Sequence, residues 1–92
     1  DAMNTNLSYY RDKNDFEVDV ILRTDSGKWG AIEIKLGAGF INEAAENLLK
    51  FKERVDTQKC GEPAFLMVLT GEDYSYKRED GVYVVSIGNL KN

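Results

Sequence analysis

The chain is expected to fold as an α/β domain: a mixed β-sheet with one crossover helix, in the order β-β-β-α-β-β-β. Three observations predict it. Residues 16–23 and 29–36 alternate apolar with polar side chains around the turn-like Thr24-Asp25-Ser26-Gly27-Lys28, as in a hairpin. Ile41, Ala44, Ala45, Leu48, Phe51 and Val55 then form one apolar stripe at helical spacing. Finally, Ala64-Phe65-Leu66-Met67-Val68-Leu69 is apolar without alternation, which suits a buried strand reached by a crossover.

Each element has its own local reason. Residues 7–11 carry β-favouring tyrosines and read as the first strand, closed by the turn signal Lys13-Asn14-Asp15. In the second strand Phe16, Val18, Val20 and Leu22 point one way, and Glu17, Asp19, Ile21 and Arg23 the other. In the third, Gly30, Ile32, Ile34 and Leu36 oppose Trp29, Ala31, Glu33 and Lys35. The even-numbered faces are the more apolar and are expected on the core. Gly37-Ala38-Gly39 ends the pattern, and a helix is expected over residues 40–55, capped by Asn42 or Gly39 and stopped by Lys59-Cys60-Gly61-Glu62-Pro63. The apolar run after it is expected to be a central strand covered on both sides, parallel to the third through a right-handed crossover. Residues 74–77 and 82–87 flank Arg78-Glu79-Asp80-Gly81 and read as a closing hairpin.

Composition narrows the chemistry. At 92 residues the chain is one domain, and 42% apolar with 30% charged residues is ordinary for a soluble one. No apolar run approaches the ~20 residues of a membrane span, and no secretory signal is visible. The single cysteine, Cys60, permits no intrachain disulfide, so a cytoplasmic setting is expected. There is no histidine, which excludes Ser-His-Asp and Cys-His nucleophile systems and His-containing zinc sites. A net charge of −4 argues against strong nonspecific nucleic-acid affinity, although Lys50, Lys52, Arg54 and Lys59 cluster in the second half of the expected helix. There they suit the helix dipole or a phosphate-facing patch.

The candidate site lies on the hairpin. Centring the turn on Ser26 places Asp19 opposite Glu33 and Glu17 opposite Lys35, all on one face. Opposed Cβ atoms lie roughly 4.5–5.5 Å apart, and like charges there are destabilising unless a cation offsets them. Mg²⁺ takes one or two carboxylates and keeps several waters. Asp19 and Glu33 supply that pair, with the Ile34 backbone carbonyl as a further oxygen. Lys35 is placed to orient a water or offset charge on phosphate oxygens. Glu17 either binds a second metal or pairs with Lys35. The bland alternative is a solvated sheet face.

An acidic residue, a hairpin turn and Glu33-Ile34-Lys35 resemble the core of the PD-(D/E)xK nuclease superfamily. The resemblance sharpens with Tyr9-Tyr10-Arg11-Asp12-Lys13-Asn14, Glu17-Val18-Asp19, Trp29-Gly30-Ala31-Ile32, Asn47-Leu48-Leu49, Gly61-Glu62-Pro63-Ala64 and Asp80-Gly81-Val82-Tyr83-Val84-Val85. Together these segments resemble the uncharacterised nuclease-like domain at the C-terminus of prokaryotic AAA-type ATPases. That likeness implies a restriction-endonuclease-like fold over residues 7–92. Asp1-Ala2-Met3 reads by itself as a cloning remnant, so residues 1–6 are expected to be a disordered start or cloning remnant before a piece excised from a longer protein. The likeness also implies Asp19, Glu33 and Lys35 as catalytic residues, Mg²⁺ or Mn²⁺ as cofactor, DNA as substrate, and the N-terminal ATPase region of the same protein as partner. Two departures stand out: Val18 replaces the usual proline before the aspartate, and the helix that usually precedes the first strand is not in this sequence. No Walker motif is present. A catalytically silent module binding protein or nucleic acid is the second expectation, and an oligomerisation domain the third.

Gly37-Ala38-Gly39-Phe40-Ile41-Asn42 half-matches a dinucleotide fingerprint, but Asn42 stands where the third glycine belongs. The five tyrosines suit strands more than base stacking, Trp29 is expected to cover the hairpin end, and Cys60 reads as a passive loop thiol.

Overall fold

Six strands form one mixed sheet in the order β1-β2-β3-β4-β6-β5 in the computed structural model, which describes residues 5–88. The elements are β1 (Thr5–Arg11), β2 (Glu17–Thr24), β3 (Trp29–Lys35), α1 (Ile41–Arg54), the short α2 (Thr57–Cys60), β4 (Phe65–Thr70), β5 (Tyr76–Lys77) and β6 (Tyr83–Ser86). β1 begins at Thr5, two residues before its expected start, so Thr5 and Asn6 are strand rather than a disordered lead. Residues 1–4 lie outside the described residues.

The β2–β3 hairpin has the expected register, Val20 opposite Ile32 and Arg23 opposite Trp29. Gly27, at φ 91°, makes the turn that only a residue without Cβ adopts readily. β3 and β4 pair in parallel, with α1 between them in sequence. The Asp80-Gly81 turn does join an antiparallel pair, β5 and β6, but β6 inserts between β4 and β5 and runs parallel to β4.

The core is on the other face of β3 from the one its sequence favours. Trp29 and Ala31, together with Glu33, are buried beneath α1, while Ile34 on the even face is 43% exposed. Trp29 decides the side. Its ring meets Phe51 of α1 edge-on at 5.9 Å, and its Nε1 donates to the Gly61 carbonyl at 2.9 Å. It is a core anchor, not a cover for the hairpin end. On the opposite face the Phe65 ring lies across Gly30, where a Cβ would come within 2.4 Å of it.

β2 does not alternate throughout, because it carries a bulge. Ser8 pairs with Ile21 and Tyr10 with Val18, so Asp19 and Val20 together oppose Tyr9. One extra residue reverses the facing of everything before it. Val18, 1% exposed, therefore joins the core, and Ile21 and Phe16 pack against it.

The second face of β4 is open among the described residues, against the expectation that both sides are covered. Leu66, Val68 and Thr70 are buried towards α1, but Phe65, Met67 and Leu69 are only half-buried. With their neighbours in register they make apolar rows, Val20–Ile32–Met67–Tyr83 and Ile34–Leu69–Val85. Neither helix of the described residues lies on these rows.

The helix expected over residues 40–55 is α1, and the short α2 follows it as a separate turn of helix. A 3-10 turn over Ala38–Phe40 precedes α1, whose N-cap is Phe40 with no side-chain cap. Asn42 does not cap it; its Oδ1 accepts from Arg78 Nη1. Val55 is extended and ends α1, and Asp56 caps α2 by accepting from the Gln58 N–H at 3.1 Å. Gly61, φ 78°, stops α2 as its composition suggests.

Candidate carboxylate site

The site forms where β2 and β3 part. Their ladder runs as far as Val20 and Ile32. Beyond it, side chains replace backbone partners: the Ile34 N–H donates to Asp19 Oδ2 at 2.9 Å, and the Asp19 N–H donates to Glu33 Oε2 at 3.4 Å. The bulge at Asp19 is the local cause, since it ends regular pairing and re-aims the aspartate. Asp19 and Glu33 are thus brought together, but through side-chain hydrogen bonds beyond the ladder and not as an opposed pair within it.

Lys35 joins them, with Nζ 4.0 Å from Glu33 Oε1. Glu17 does not take part in an ion pair with Lys35; its side chain is exposed, and its backbone carbonyl accepts from Asn47 Nδ2 at 2.8 Å. The N–H and C=O of one extended residue face the same neighbouring strand. The Ile34 N–H faces Asp19, so the Ile34 carbonyl opens on the same gap.

The two carboxylates differ in environment. Asp19 is exposed, whereas Glu33 is 4% exposed under α1. Burial pushes the Glu33 carboxyl above the ordinary range, and the Asp19 charge adds to the push. The Asp19 N–H, the Lys35 ammonium and the Asn47 amide pull the other way without cancelling it. The hydrogen bonds engage Oδ2 of Asp19 and Oε2 of Glu33, which leaves Oδ1 and Oε1 for another partner.

These groups line an open groove of about 730 Å³ between the end of the hairpin and α1. The helix contributes Glu43 and Glu46 at its N-terminal end and Lys50 and Arg54 at its C-terminal end, so the wall runs from acidic to basic. Arg54 is anchored by Asp12 at 2.7 Å and lies 4.0 Å over the Phe16 ring. Burial works against the Asp12 carboxylate, but the Phe16 and Asn14 N–H groups and Arg54 outweigh it and hold its carboxyl below the usual range. Lys50 is exposed on the groove wall.

A family model described as a domain of unknown function (DUF4143) matches residues 1–90. The chain belongs to that family. No curated protein and no solved structure matches the chain. In this DUF4143 domain no helix among the described residues is long and apolar enough to cross a membrane.

Whether the donor set suits a divalent cation turns on its free oxygens. Among the described residues no group of three or more His, Cys, Asp or Glu side chains gathers for a metal, so Glu17 does not complete a carboxylate triad. Mg²⁺ needs only one or two carboxylates beside waters. Asp19 and Glu33, each with one oxygen outside the hydrogen-bond network, fit that requirement.

Sequence reading missed Asn47 as part of this site. Its signal was a polar residue beside Ala44 and Leu48 on the buried stripe of α1, half-buried where apolar spacing continues.

Proposed function

We propose that this domain is a metal-dependent nuclease-type module on a restriction-endonuclease-like sheet, acting on DNA phosphodiesters within a larger ATPase. One observation carries the reading: the strand ladder is given up where two carboxylates and an ammonium converge, and one of those carboxylates is buried at an electrostatic cost. A fold-stabilising hairpin has no use for that cost.

Asp19 and Glu33 would hold Mg²⁺ or Mn²⁺, and the cation would supply water activation and charge neutralisation at phosphorus. Lys35, tethered beside Glu33, is placed to hold a water or a phosphoryl oxygen and to stabilise negative charge as it builds. The groove gives the substrate access, and Lys50 with Arg54 makes its far end attractive to phosphate despite the net charge of −4.

Cleavage of single- and double-stranded DNA with Mn²⁺ tests this reading. The intact protein is expected to cut, and Lys35→Ala to lose activity by at least roughly 10²-fold, as for removal of a transition-state charge donor. Equal activity in the two proteins would refute the assignment.

The open apolar sheet face supports a second reading, a catalytically silent module that docks protein or nucleic acid for the ATPase. In that case filter binding at falling salt would show DNA retention without product, unchanged in Glu33→Gln.

A further inference from the structure

Asn47 sits on α1 above the gap between β2 and β3. Its Nδ2 donates at 2.8 Å to the Glu17 carbonyl on β2 and at 3.3 Å to Glu33 Oε2 on β3. An amide nitrogen carries two hydrogens, so both bonds form at once. One side chain from the helix thereby ties the two strands at the point where they stop pairing with each other.

The consequence for Glu33 is orientational. A glutamate reaching into a buried gap must give up several rotamers, and its carboxylate must be held by specific donors. Here Oε2 is held from two sides, by the Asp19 N–H at 3.4 Å and by Asn47. Oε1 is the oxygen left facing Lys35 and the groove.

We propose that Asn47 is a positioning residue of the carboxylate site. By holding Oε2 of Glu33 it presents Oε1, beside Oδ1 of Asp19, to a divalent cation. This inference rests on the metal-binding reading above. Partners that orient a ligating carboxylate typically change metal affinity 10–100-fold when removed. A merely structural asparagine would instead alter stability and leave the affinity of the folded protein unchanged.

Calorimetric titration of the full chain with Mn²⁺, alongside circular dichroism without metal, separates these cases. Asn47→Ala keeps a strong helix former and removes the amide; it is expected to weaken Mn²⁺ binding by roughly 10–100-fold. Asn47→Gln retains the donors and is expected to recover most of that loss. Should Asn47→Ala fail to fold, Asn47→Leu fills the space and carries the same expectation. Equal affinity in the wild type and the alanine or leucine variant would overturn the positioning role and leave the metal reading standing. So would a glutamine variant as weak as alanine. No Mn²⁺ binding by the wild type would overturn both, and so identifies a failure of the metal reading itself.

Discussion

Replacing Glu33 by glutamine asks whether its charge serves the fold or is tolerated by it. The glutamine keeps the length of the side chain and an oxygen to accept from the Asp19 N–H and the Asn47 amide. It removes a negative charge that is 4% exposed and sits beside Asp19. What it gives up is the Lys35 contact, 4.0 Å long with the lysine side chain 35% exposed. At 4.0 Å, with its lysine end partly open to solvent, this contact is worth about 1 kcal/mol at most. Burial and the neighbouring Asp19 charge both work against the ionised form of Glu33, and the amide of glutamine escapes both. The net expectation at neutral pH without metal is stabilisation, read as a rise in the midpoint on a scale where about 1 kcal/mol corresponds to roughly 4–8 °C. Thermal denaturation followed by circular dichroism in chelator measures it. A fall in the midpoint would mean that the carboxylate is a structural acceptor, and the case for a cation site would lose its energetic basis.

Other outcomes follow from the same geometry. Because folding raises the Glu33 carboxyl, the folded state holds that proton more tightly than the unfolded chain does. Its contribution is fully present below the ordinary carboxylate range and is lost as pH rises through the folded value. Metal-free stability should therefore decline from about pH 4 upward in the wild type; the decline should be smaller in Glu33→Gln, and identical pH profiles would refute it. Asp12 has the opposite sign: its carboxyl is held low, so its contribution is present above the ordinary range and is lost as pH falls further. Asp12→Asn should flatten acid unfolding at that end, measured by the same scans. Gly30→Ala should destabilise by about 1–3 kcal/mol, since its Cβ would meet the Phe65 ring at 2.4 Å. Chemical denaturation checks this, and an unchanged midpoint would show that the ring moves aside freely.

Much of the fold was legible because it is local. The hairpin register followed from one turn, and the crossover pairing of β3 with β4 followed from a helix between two strands. The choice of core face was not legible. Ile32, Ile34 and Leu36 make the even face of the third strand look buried, yet Trp29 outweighs them because Phe51 and the Gly61 carbonyl give its ring and its N–H a partner on the same side. The bulge at Asp19 and Val20 leaves no mark in the alternation itself, since valines stand on both sides of it. It follows from the β1 partner strand, where Tyr9 alone faces two residues. The insertion of β6 beside β4 is a long-range choice that the Asp80-Gly81 turn does not encode. At the site, Asp19, Glu33 and Lys35 were legible from spacing, whereas Asn47 depends on where the helix lands.

Calorimetric titration of Mn²⁺ into the wild-type chain and into Asp19→Asn bears most directly on the central claim. The asparagine retains an oxygen for the Ile34 N–H, so the splayed strands keep their closure while one ligand charge is removed. If Asp19 and Glu33 share a cation, the wild type gives one saturable binding event at millimolar metal or below, and the variant gives none. Indistinguishable titrations, or no heat from the wild type, would contradict it.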